Sequence, residues 1–364
     1  MREGWEYKKL GEVCDIYQPN TISTEMLVNN GKYYVYGANG IIGKYNEFNH
    51  ENSEILLTCR GATCGTINIS EPYSWINGNA MVIHRKSDSL NFDFLKYLMS
   101  SLDYSLIITG AAQPQITRAK LTPVKICIPQ LSTQLSIVSE LDMITEMISK
   151  YDEQLKELDK LSQSIFYEMF GDPLENEKGW EVKKIVEIAD ATIGLTYKPE
   201  NVADNGVIVL RSGNIQNSAL DFTDILRVET NIPSHKYVKD GDILMCTRNG
   251  SLRHVGKVAV IKNLNEQMTY GAFMTVIRSE MNPYLYGYFN TPAFRDSLIH
   301  GKTTTINQIT VKMLNETSLP IPPLPLQQSF ARKIEAIEAM KSKVKEAKKE
   351  AETLLAARMQ YWFE

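Results

Sequence analysis

The feature that most constrains this chain is that it repeats itself. GWEYKKLGEVCDI at 4–16 returns as GWEVKKIVEIADA at 179–191, and IPQLSTQLSIVSELDMITEMI at 128–148 returns as IPPLPLQQSFARKIEAIEAMK at 321–341. Between these borders, NGNAMVIHR (77–85) aligns with YGAFMTVIR (270–278), setting Gly78 against Gly271 and Met81 against Met274. GAAQPQIT (110–117) aligns with GKTTTINQIT (301–310), and EMF at 168–170 falls opposite YWF at 361–363. Solenoid units run to roughly 20–50 residues, so a period this long implies duplication of a whole domain instead. The expected class is α+β: two strand-rich globular domains in pseudo-two-fold relation, separated by two long antiparallel coiled-coil helices. The expected segments are 1–128, 129–173, 174–320 and 321–364.

The helices carry the strongest local signal. Ile137, Leu141, Ile144, Ile148, Tyr151, Leu155 and Leu158 alternate spacings of four and three, a heptad seam. A helix from about Ser132 to Phe170 follows, roughly 55 Å long at 1.5 Å per residue, with Pro129 upstream and Gly171-Asp172-Pro173 as a stop. The second copy keeps Ile334, Ile337, Val344, Ala351 and Leu355, but Lys341 and Lys348 interrupt its stripe, and no Gly-Asp-Pro follows it. Gln134 and Gln327, at matching helix starts, read as structural. In the globular parts, turn-bounded Val/Ile/Tyr-rich runs at 33–45, 54–61, 241–250, 257–261 and 273–278 read as strands. Residues 91–102 and 282–299 read as helices.

Net charge is −4, which by itself argues against a polyanionic partner, but the distribution matters more. Residues 129–178 hold 4 basic and 11 acidic side chains, whereas 321–364 hold 8 and 6, so the first helix is acidic, the second basic, and the two are suited to pack together. No run reaches the roughly 18–20 apolar residues of a membrane span, and MREGWEYKKLGEV has no apolar signal core. Five scattered cysteines do not make a disulfide framework, so a cytoplasmic protein without membrane attachment is expected.

Catalytic patterns are missing. HGKTTT at 300–305 has the close of a phosphate-binding loop, but Asp296 stands where its first glycine belongs, and FRDSLI before it reads as helix rather than strand. Cys59 and Cys64, with His50 and His84 in the same region, lack the second close pair that a structural metal needs, so core cysteines and no metal are expected. The five histidines do not cluster, and no nucleophile elbow or metalloprotease helix occurs. A non-catalytic chain is the expectation.

Taken together, the paired Gly4-Trp5 and Gly179-Trp180 starts, the paired IPxLxxQ segments (Ile128 to Gln134, Ile321 to Gln327) and the Phe170-Gly171-Asp172-Pro173 stop resemble type I restriction-modification DNA specificity subunits. The resemblance spans nearly the whole chain. It implies that each globular part is a target recognition domain reading one half of a split, asymmetric site in double-stranded DNA. The helices then act as a ruler that fixes the unread gap and docks two modification (methyltransferase) subunits. S-adenosylmethionine would belong to those partners, with a restriction/translocase subunit joining through the complex and no cofactor on this chain. A subunit of a related enzyme combining restriction and methylation would look the same. A coiled-coil adaptor without DNA affinity is the reading from a different class, though it leaves unexplained why the globular copies diverge while their borders stay alike.

Base readout needs Arg, Lys, Asn or Gln on loops or strands that can enter a groove. Copy one offers Asn39 with Lys44 and Tyr45, then Arg60, then Gln113, Gln115, Arg118 and Lys120. Copy two offers Arg211, Asn214 and Gln216, then Arg248, Asn249, Arg253 and Lys257 beside His254, then Lys302, Thr303, Asn307 and Gln308. Arg60 and Arg248 end matching strands and are the leading pair.

Overall fold

The computed structural model describes residues 4–110, 113–216, 218–251, 253–299 and 308–363. The chain divides into two compact units, Met1–Asp152 with Glu346–Glu364, and Glu153–Lys345. Each unit thus joins one globular part to half of each long helix.

The first unit begins with β1 (Trp5–Lys9), α1 (Leu10–Val13) and β2 (Cys14–Tyr17). A hairpin follows, β3 (Tyr33–Gly37) and β4 (Gly40–Tyr45), then β5 (Ile55–Thr58), β6 (Ile67–Ile69), β7 (Trp75–Ile76) and β8 (Ala80–Arg85). Helices α2 (Phe92–Ser101) and α3 (Arg118–Leu121) and strand β9 (Lys125–Pro129) follow, then helix α4 (Leu131–Phe170), of which the part up to Asp152 belongs to this unit. Strands β2-β8-β5-β6 form one sheet and β4-β3-β7 another, while β1 closes against β9. Strand β5 is buried along its whole length, because its two faces meet different cores. Ile55 and Leu57 join the core lined by α2 and α4, whereas Leu56 joins Tyr36, Ile76 and Val82 under the smaller sheet.

The second unit repeats this plan. Strand β10 (Val182–Lys184), helix α5 (Ile185–Ile188), β11 (Asp190–Ile193) and β12 (Val202–Leu210) lead into an added hairpin, β13 (Ile215–Gln216) and β14 (Ala219–Leu220). Then come β15 (Arg227–Val228), β16 (Ile243–Cys246), β17 (Val258–Val260), β18 (Met268–Tyr270) and β19 (Met274–Arg278). Helices α6 (Asn282–Phe289), α7 (Pro292–Ile299) and α8 (Val311–Glu316), strand β20 (Ser318–Pro320) and helix α9 (Leu324–Phe363) follow. The sheet orders β11-β19-β16-β17 and β15-β12-β18 are those of the first unit, down to one parallel pairing in each smaller sheet, β3 with β7 and β12 with β18. The stretch expected as one helix over 282–299 is two, and the break falls at Asn290-Thr291, just before Pro292, whose ring disfavours helix at the residue ahead of it and which then opens the second helix.

The strand register corrects one sequence alignment. Asp15 pairs with His84 as Asp190 pairs with Arg278, and Leu56 pairs with Val82 as Leu244 pairs with Val276. Ala80–His84 therefore matches Met274–Arg278, and the alignment of Met81 with Met274 and Gly78 with Gly271 is one residue out. A one-residue slip exchanges the faces of a strand. Met81 faces the helix-side core, while Met274 faces the small-sheet core, so the shared methionine and glycine were a coincidental match.

Within each unit the two long helices run antiparallel, since partners rise in number on one as they fall on the other. In the first unit Glu140 takes Arg358 and Trp362, and Asp152 takes Lys348 at 2.7 Å. In the second, Asp159 takes Lys341 at 2.6 Å and Phe166 lies 5.8 Å from Phe330. The lysines that break the apolar stripe are thus absorbed by carboxylates of α4. Gln134 and Gln327 are both buried and each donates to a proline carbonyl, of Pro129 and Pro322, at the helix start. The matched helix ends do matching work: Phe363 packs on Phe94 and Phe170 on Tyr284.

Candidate nucleic-acid interface

In the first unit three loops are drawn together beyond the end of β5. Cys59 is buried, with its Sγ donating to the Asn79 carbonyl, so the next residue, Arg60, emerges into solvent. Arg60 makes an isolated antiparallel bridge with Gln115, and the Ile116 N–H donates to the Cys59 carbonyl at 3.0 Å. Gly61, at φ +89, turns the chain and donates to the Pro114 carbonyl at 3.0 Å. The tight β3–β4 turn joins them through Asn39, whose Oδ1 accepts from Thr63 at 2.7 Å and Thr58 at 3.2 Å. Gln113, Gln115, Arg118 and Lys120 are exposed. Lys44 and Tyr45 sit at the other end of the hairpin, Lys44 over the Tyr34 ring at 5.0 Å and Tyr45 edge-on to Trp75 at 5.5 Å. The structure does not bring them to the loop cluster.

The second unit builds the same junction from different residues. Exposed Arg248 bridges Gln308, and the Ile309 N–H donates to the Thr247 carbonyl at 2.8 Å. The Thr247 and Arg248 N–H groups both donate to the Phe273 carbonyl, and the Arg248 guanidinium lies 5.4 Å from the centre of the Phe273 ring. Asn249 donates to Ser212 Oγ at 2.8 Å, tying this loop to the one after β12. Gln216 is exposed and donates to the Gly213 carbonyl at 3.1 Å, Arg253 is exposed, and Lys257 is half-buried on the strand hairpin. Lys302, Thr303 and Asn307, with the HGKTTT stretch, lie outside the described residues.

Two expected readers are occupied. Asn214 is buried and spends its amide on the carbonyls of Asp221 and Asp224 while accepting from the Arg211 N–H, so it braces its loop and is withdrawn as a base reader. Arg211 is half-buried and paired with Asp224 at 2.8 Å. The sequence reading missed Thr63, Ser212 and Phe273. Phe273 was concealed by the one-residue slip, which set it opposite Ala80 rather than Asn79.

The same slip hid a repeated pairing of a buried carboxylate with a basic side chain, just before β5 and β16. Buried Glu54 accepts from His84 at 2.9 Å in the first unit. Buried Asp242, at the matching position, takes Arg278 at 2.8 and 2.5 Å in the second. Burial pushes Glu54 above the usual carboxylate value, partly countered by His84. Burial also pushes the Cys14 thiol up to about 12 and Cys246 to about 11, leaving neither as a thiolate at neutral pH. Among the described residues, no three His, Cys, Asp or Glu side chains gather as a metal site would require, and no helix is long and apolar enough to cross a membrane.

Comparison with known proteins gives this repeated geometry a family. The chain is 23% identical over 357 residues to a putative type I restriction enzyme specificity subunit of Haemophilus influenzae, a match covering 94% of this chain and 89% of that one. Over a shorter stretch of 171 residues it is 28% identical to the type I restriction enzyme EcoKI specificity subunit of Escherichia coli, covering 44% of this chain and 36% of that one. Its fold resembles the crystal structure of the type I restriction-modification S subunit from M. genitalium, with a TM-score of 0.57 at 14% identity, covering 99% of this chain and 96% of that one. A structure from work on assembly and conformational transition of the type I system matches with a TM-score of 0.56 at 19% identity, covering 99% and 97%. The model of the type I restriction modification DNA specificity domain matches twice, over residues 2–159 and 177–353, one match for each copy of the repeat, and the chain belongs to that family.

Proposed function

We propose that this chain is the specificity subunit of a type I restriction-modification complex and reads a bipartite, asymmetric site in double-stranded DNA, one half-site with each globular part. The observation that carries the reading is the repeated junction at Arg60–Gln115 and Arg248–Gln308, which presents an exposed arginine and glutamine from a braced three-loop cluster in both copies. Arginine is the commonest reader of a base edge, and loops held by a sheet give it a fixed origin. Around that junction the copies differ, as an asymmetric target requires.

The helices suit protein partners better than DNA. The acidic α4 repels phosphate, and in the first unit it leaves Leu135, Met143 and Met147 about half exposed or more, an apolar surface for modification subunits. In this reading the chain is not itself catalytic. Two modification subunits bring S-adenosylmethionine and the methyl transfer, the restriction/translocase subunit joins through them, and the complex works in the cytoplasm on the DNA found there. The test is co-expression with the neighbouring modification subunit, followed by mapping of methylated bases in host DNA. A split asymmetric motif that disappears when this chain is deleted is the expected result. A soluble complex with no motif favours the adaptor reading instead.

A further inference from the structure

Four of the seven arginines of the second unit are committed: Arg211 to Asp224, Arg227 to Glu266, Arg278 to Asp242, and Arg295 to the Val255 carbonyl. Arg248 differs. Among the described residues its guanidinium meets no carboxylate, and its one partner is the Phe273 ring at 5.4 Å. Phe273 is itself 58% exposed, so fold stability does not account for it. A cation–π contact with a ring uses no hydrogen-bond acceptor. The N–H donors lie in the guanidinium plane and stay available along its edge. The ring also narrows the wandering of a long side chain whose backbone is pinned on both sides, by the Phe273 carbonyl and by the Gln308 bridge.

We infer that Phe273 is a positioning residue that holds Arg248 for paired hydrogen bonds to a guanine in the half-site read by the second unit. A fork of two parallel donors matches guanine, which offers two adjacent acceptors in the major groove, where adenine offers one acceptor and one donor. The inference rests on the two-reader proposal above and adds a base identity and a supporting residue to it. The first unit lacks this device. Register places Asn79 where the second unit has Phe273, and no ring lies over Arg60 among the described residues.

The test compares methylation maps from the co-expressed complex carrying wild-type chain, Arg248→Ala, Arg248→Lys, Phe273→Ala, Phe273→Leu or Phe273→Tyr. Arg248→Ala should lose preference for guanine at one position of one half-site, by roughly 5- to 150-fold. Lysine, which keeps the charge but lacks the planar fork, should restore it only in part. Phe273→Ala and Phe273→Leu should relax the same position by roughly 2- to 5-fold, and Phe273→Tyr should retain it. Relaxation at a different position, equal weakening of both half-sites, or full function with leucine would overturn the role of the ring. Loss at a base other than guanine would overturn the base assignment. A wild-type complex that methylates no split motif would instead remove the two-reader proposal itself.

Discussion

Arg248 and Gln308 are joined by an antiparallel bridge, with the next residue, Ile309, buried and its N–H on the Thr247 carbonyl. Arg60, Gln115 and buried Ile116 repeat the arrangement. The glutamine faces solvent and the isoleucine anchors the loop, so their replacements should separate. Ile309→Ala should cost about 2–5 kcal/mol by the burial and cavity lost. Gln308→Ala should stay within about 0.5 kcal/mol while still altering the methylated motif. Chemical denaturation and methylation mapping of the two variants check this.

Lys341 is 4% exposed and bound by Asp159 and Glu338. Burial pulls its pKa down, but the two carboxylates more than compensate and hold it above the ordinary lysine value. Losing both acids strands a buried cation, so Asp159→Ala with Glu338→Ala should cost about 3–5 kcal/mol. Lys341→Met removes the charge and keeps the volume, and its stability should match or exceed wild type. The heptad partner in the first copy is already apolar, Ile148. Thermal melts of the single, double and methionine variants decide between these outcomes.

Two carboxylates in the first unit should titrate in opposite senses. Glu140 is held below the ordinary value of 4.5 by hydrogen bonds from Arg358, and from Trp362 as well. Its stabilisation is present above pH about 4.5 and lost as pH falls through the lower folded value. Glu54 is raised by burial, so its ionisation costs stability as pH climbs from 4.5 through the raised value. Relative to wild type, Glu140→Gln should therefore become less damaging on acidification, and Glu54→Gln more damaging. Unfolding free energies between pH 3.5 and 7 for the three chains measure both slopes.

Gly287 on α6 lies against the aromatic cluster of the second unit. A Cβ there would fall 2.7 Å from the Phe330 ring and 2.9 Å from Phe166. Helix propensity favours alanine by about 1 kcal/mol, whereas overpacking costs about 1–3 kcal/mol. Both rings are fully buried and cannot swing aside, so Gly287→Ala should lower the melting temperature. A rise would mean that the cluster has room to adjust.

Both long helices were legible because they rest on heptad spacing and on the repeated IPxLxxQ string that opens each one. The one-residue slip arose where identity was sparse. Only strand pairing could show that His84 matches Arg278, and that finding exposed both the Glu54 and Asp242 pairs and the placement of Phe273 beside Arg248. Asn214 misled for another reason. An asparagine next to an arginine and a glycine looks the same in sequence whether it faces solvent or braces a turn, and only burial distinguishes the two. Lys341 and Lys348 read as flaws in the seam because their partners, Asp159 and Asp152, lie far away in sequence.

The most direct test of the central claim is methylation mapping with Arg60→Ala and Arg248→Ala compared in parallel, each co-expressed with the modification subunit. Two independent readers predict that each substitution relaxes one half of the split motif, that the halves differ, and that the gap between them is unchanged. If both substitutions weaken the same half, or each weakens both halves equally, the assignment of one reader to each copy of the repeat is wrong.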